Sequence, residues 1–141
     1  MKIFENYSQI YPESFTMFSE EELENYFNIS NACMRYNIHL ASATEKIASN
    51  LLYEKMLLQE KLYNEMTGVA NLSAEDITFF AKLHDNGLAF SMKEAEHLSD
   101  EKIIRALSAM KANSGITPYA KIRVEAFEIE AKKRGLGQPT I

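Results

Sequence analysis

The chain has 141 residues, 46% of them apolar and 25% charged, which suits one folded domain with a real core and argues against disorder. No window approaches the ~18 consecutive apolar residues of a membrane span. The segment Met1-Lys2-Ile3-Phe4-Glu5 lacks the apolar run of a secretory signal. A single cysteine, Cys33, cannot close an internal disulfide, so the expected setting is a reducing cytoplasm. Usage rich in Lys, Asn, Ile, Tyr and Glu points to an AT-rich genome, such as that of a bacterium or phage.

Net charge is −5 but unevenly placed. From Lys102 onward, eight Lys and Arg stand against three Glu, whereas the preceding residues hold seven basic against seventeen acidic side chains. An acidic body disfavours phosphate-backbone contact over most of the surface, while the last forty residues could face an anionic partner.

In chain order, residues 1–18 read as an aromatic arm. Phe4, Tyr7, Tyr11, Phe15 and Phe18 are spaced three or four apart, with Pro12 interrupting any one helix through them. Ser19 then opens a helix: Phe18 precedes it, Glu22 completes a capping box and Leu23 holds the staple position. From there to Gly68 neither Gly nor Pro occurs, and Tyr26, Ile29, Cys33, Tyr36, Leu40, Ala43 and Ile47 form an apolar stripe.

One helix over 20–66 would be ~70 Å long, against a diameter near ~40 Å for a compact chain of this length. Either the chain breaks into a packed pair or a second copy covers the protruding half. Ser42 and Glu45 have capping-box spacing, and the stripe slips after Ile47 to Leu51, Leu58 and Leu62. A break within residues 37–50 is therefore expected.

Ser73 starts the next helix, expected over 74–85, with Leu72 and Ile77 as its staple pair. Gly87 reads as a stop, and Ser91, with Phe90, Glu94 and Ala95, as a fresh start for a short helix over 92–98. Ser99 opens 100–113, and Thr117-Pro118 opens 118–134, since a first-turn Pro lacks only an N–H that needs no partner. Gly68, Gly115 and Gly135 mark the other stops. Expected core faces are Ile77, Phe80 and Leu83; Ile103, Ile104, Leu107 and Met110; and Tyr119, Ile122, Ala126 and Ile129, with Val124 and Phe127 turned toward a second layer. No segment alternates as a strand does. The fold class is all-α: a compact bundle of about five to six helices, with one long helix or helix pair over 19–67, shorter helices over 72–135 and a tail at 136–141.

Chemistry-bearing candidates are few. Glu94 and His97 have the i, i+3 spacing of di-iron bundles, but no second copy of the pair exists, so His97 is read as ending its helix. The polar run His84-Asp85-Asn86-Gly87 reads as a helix-ending turn, with a binding loop as the minor alternative. Cys33 sits in the apolar register and is read as a buried thiol. No catalytic, cofactor or metal set is assigned. Lys132, Lys133 and Arg134 complement a helix dipole; with Lys121 and Arg123 they could form a nucleic-acid face, partly neutralised by the pairs Glu128–Lys132 and Glu130–Arg134.

Eight of the fifteen Phe and Tyr residues fall in the first 36 positions. Such residues are enriched at interface anchors. The expected function is a non-enzymatic helical interaction module (adaptor, inhibitor or assembly subunit) using Phe4, Tyr7, Tyr11, Tyr26, Tyr36 and Leu40 toward another protein. A second copy of the chain is a candidate partner, nucleic acid ranks below, and no membrane is expected.

Overall fold

The structure, a computed structural model, describes residues 17–36, 43–113 and 115–136, and their side chains except those of 30–36 and 43–49. Within these lie five helices: α1 (Glu20–Tyr36), α2 (Ala43–Met66), α3 (Ala74–Glu96), α4 (Asp100–Ala112) and α5 (Pro118–Lys133). There is no strand among the described residues. None of the helices is long and apolar enough to cross a membrane.

The helix starts follow from local chemistry. At Ser19 the capping box closes reciprocally: Glu22 N–H donates to Ser19 Oγ at 3.0 Å, and Ser19 N–H to Glu22 Oε1 at 3.1 Å. Ser73 Oγ accepts from Asp76 N–H at 3.1 Å, Ser99 Oγ from Lys102 N–H at 3.3 Å and Thr117 Oγ1 from Ala120 N–H at 3.2 Å. Each satisfies a first-turn donor that has no intrahelical partner. The end of α5 uses Gly135 at φ +71°, with Leu136 N–H donating to Ala131 O at 2.9 Å. That left-handed residue lets the chain double back over the last carbonyls.

The 20–66 segment is a helix pair. α1 and α2 pack on one another, and Phe18 and Leu23 share a buried cluster with Leu52. Phe18, Leu23 and Leu52 are thereby enclosed, while Leu51, which the shifted stripe placed inward, is exposed with Tyr53 and Leu57.

α3 departs from the sequence reading. It runs unbroken through Gly87 and Ser91, where a stop and a fresh cap were expected. Gly87, Ser91 and Ala95 recur every four residues and are all buried, a stripe of small side chains on one helix face. Against it lies α5: a β-carbon on Gly87 would sit 3.0 Å from the Tyr119 ring and hydroxyl, and Ala95 and Ala126 are fully enclosed beside Phe127. Small residues here admit a neighbouring helix, a use that leaves the same sequence mark as punctuation. The run His84-Asp85-Asn86-Gly87 is accordingly helical and not a loop.

Three apolar clusters line α3 along its length. Leu62 and Met66 of α2 meet Phe79 and Leu83; Leu23 and Leu52 meet Phe90; and Phe127 of α5 meets Leu88, Met92 and the α4 residues Leu107 and Met110. Three residues assigned to core faces are exposed instead: Ile77 (58%), Ile104 (47%) and Ile129 (40%). Ile103 and Ile104 are adjacent and so point ~100° apart on a helix; only Ile103 is enclosed. On α3 the inward face is carried by Asp76, Phe79, Leu83 and Asn86, which turns Ile77 outward.

Candidate protein-interaction surface

Of the aromatic anchors expected at the N-terminus, Phe4, Tyr7, Tyr11 and Leu40 lie outside the described residues, as does the Tyr36 side chain. The one described, Tyr26, packs against other rings of the bundle. Tyr26 is half-buried, its ring centroid 4.9 Å from Phe27 and 5.3 Å from Phe90, and Phe27 also stacks on His97 at 5.8 Å. Burial, then the nearby Tyr53 and Glu94, push the Tyr26 hydroxyl above its ordinary range.

Two polar devices hold α1 in place. Asn86, buried on α3, accepts from Phe18 N–H at 2.9 Å and donates to Gln59 Oε1 at 3.0 Å. That fixes the chain one residue before the Ser19 cap to both α2 and α3. Lys93, also buried, gathers Glu20 and Glu24 of α1 and Glu96 of its own helix, the last two at 3.1 Å. The Glu20 hydrogen bond, reinforced by the other two carboxylates, raises the Lys93 ammonium above its usual range, and Lys93 in turn lowers Glu24. His97 approaches the same Glu24 at 3.5 Å. Glu94 and His97 thus face different partners: Glu94 receives both Arg123 Nε and Nη2, at 2.8 and 3.0 Å. Among the described residues no three His, Cys, Asp or Glu converge as a metal site would require. Cys33's side chain lies outside the described set.

The basic candidates divide into two groups. Arg123 is held by Glu94 and sits 4.9 Å above the Phe127 ring. Arg134 donates to the carbonyls of Leu98 and Ala95, at 2.8 and 2.9 Å, and pairs with Asp100 and Glu130. It thereby caps the end of α3 from the end of α5. Lys121, Lys132 and Lys133 are exposed, but Glu125 and Glu128 interrupt the face that Lys121 and Lys132 share, and Lys133 points off it. The expected Glu130–Arg134 pair forms at 3.1 Å, whereas Glu128 turns to Lys111 on α4 at 3.0 Å and not to Lys132.

What the tertiary structure assembles, and no stretch of sequence announces, is a groove of about 680 Å³ between α4 and α5. Ile104 and Leu107 from α4, with Ile129 and Leu136 from α5 and the turn after it, supply its apolar surface; Lys111, Glu125, Glu128 and Lys132 supply its charged rim. It forms because α4 is a thin layer: only Ile103 is fully enclosed, so the neighbouring apolar side chains stay at the surface. In the sequence these residues were indistinguishable from core, since they extend the same stripes. The one available signal was excess, an apolar arc wider than one contact can cover. Comparison with protein-family models, with curated proteins and with solved structures finds no match to this chain.

Proposed function

We propose that this chain is a non-enzymatic helical interaction module, such as an adaptor, inhibitor or assembly subunit, that docks another protein chain in the α4–α5 groove. One observation carries the reading: Ile104 and Ile129 stand 47% and 40% exposed on either side of one groove. Solvent-facing aliphatic side chains gathered in a concave, charge-rimmed strip suit the apolar ridge of a partner helix. The aromatic segment around Phe4, Tyr7 and Tyr11 is a second contact in this reading. The single cysteine supports a reducing, cytoplasmic setting.

A photo-crosslinking amino acid in place of Ser108, which lines the groove and is exposed, tests the assignment in the native host. The expected product is a protein adduct that disappears when Ile129→Glu is added. Absence of any protein adduct, or a nucleic-acid adduct in its place, would overturn the reading.

A further inference from the structure

The face that α5 turns to the groove is patterned along its length. Glu125, Ile129 and Lys132 follow one another at intervals of four and three residues, a single stripe on the helix, and Leu136 lies past its end, beyond the left-handed Gly135. Acid lies one turn before Ile129 and base one turn after it. The central side chain is exposed, and so are Glu125 and Lys132. A stripe with opposite charges placed about evenly on either side of an apolar centre is complementary to itself when reversed. Laid antiparallel on a copy of itself about Ile129, it sets Glu125 of each chain against Lys132 of the other. Laid parallel, it would set like against like.

We infer that the occupant of the α4–α5 groove is a second copy of this chain, docked about a two-fold axis passing near Ile129 and running across α5. The inference rests on the groove being an interface at all, and it names what fills it. Glu128, closest to the axis, is engaged by Lys111 of its own chain at 3.0 Å, so two carboxylates do not meet there unneutralised. Glu125 lies 3.4 Å from His84, which holds it on the rim. Apolar contact among Ile104, Leu107, Ile129 and Leu136 supplies the affinity, while the charge pairs select the antiparallel register.

Size sets the strength. α5 is ~24 Å long and the two helices present a face ~20 Å wide. Two such faces together bury on the order of 1,000 Å², the lower bound for a specific interface. A closed two-fold dimer that dissociates on dilution is the consequence.

Light scattering coupled to size exclusion, over a hundred-fold concentration range, is the test. The expected mass rises toward twice that of the chain, and Ile129→Glu returns it to one chain while circular dichroism, and the melting temperature at concentrations where both proteins are monomeric, stay unchanged. Glu125→Lys weakens the dimer by about tenfold, and Glu125→Lys combined with Lys132→Glu restores it. A monomer throughout, a dimer indifferent to Ile129→Glu, or charge reversal without rescue would each overturn the inference. The Ser108 crosslink keeps the two claims apart. An adduct to a different protein, with the chain monomeric, defeats the second copy but keeps the groove as an interface; no adduct defeats both.

Discussion

Where α1 docks on α3, aromatic side chains pack on one another; across the bundle, in the groove between α4 and α5, the surface isoleucines are aliphatic and remain about half in solvent. Phe27 is 7% exposed in a cluster of rings, whereas Ile129 is 40% exposed beside a charged rim. Charges differ in the same way. Lys93 is enclosed and held by three carboxylates at the surface, two of them from α1, while Lys132 and Glu125 border the groove. Aromatic richness at an N-terminus is an ambiguous sign, because large rings that anchor a partner are equally suited to anchoring the chain's own first helix. The surface left over for binding is defined by what the core does not use.

The largest expected effect separates the two regions by stability. Phe27→Ala should cost about 3 kcal/mol, the usual range for emptying an aromatic core position, as read by urea denaturation. Ile129→Ser should shift the same transition of the monomer by no more than about 0.5 kcal/mol. Comparable losses at both positions would erase the distinction between core and groove.

A second measurement sharpens the comparison through pH. Glu24 is held below its ordinary value of 4.5, first by its hydrogen bond to Lys93. A carboxylate depressed in the folded state contributes stability that is present above pH 4.5 and lost as pH falls through its lowered folded value. Acid should therefore loosen the α1 contact, and Lys93→Met should flatten that acid limb in denaturation midpoints taken from pH 6 down to about pH 3. Glu20, Glu96 and His97 face the same ammonium or carboxylate. A limb of unchanged steepness in Lys93→Met would show that the charge cluster does not secure α1.

The smallest effect concerns α3, which serves both regions. Ser99→Ala should cost about 1 kcal/mol, because it removes an N-cap acceptor. Ser91→Ala should be neutral or stabilising by up to about 0.5 kcal/mol, since Ala is the better helix residue in an interior turn. A cap-sized loss at Ser91 would mean that α3 is interrupted there, and that the α3–α5 contact is built otherwise.

Much of the fold was legible because it is written in local chemistry. Ser19 with Glu22, Ser73, Ser99 and Thr117-Pro118 open helices through hydrogen bonds to the residue three positions on, so sequence spacing alone locates them. That one helix over 20–66 would overshoot a compact domain was equally legible, because chain length bounds the domain's size, but spacing alone left a broken pair and a helix covered by a second copy both open. Small residues were not legible in the same way. Gly87 and Ser91 have the composition of a helix stop and start, and only the position of Tyr119 and α5 against them reveals that they serve close packing. The groove was hidden for a related reason: Ile104 and Ile129 belong to stripes that are apolar by sequence, and whether such a stripe is enclosed depends on how many helices reach it. Where helices begin was thus largely determined by the sequence itself, through interactions a few residues apart, the continuity of α3 excepted. Enclosure was decided by the tertiary structure, because burial depends on neighbours supplied from distant parts of the chain.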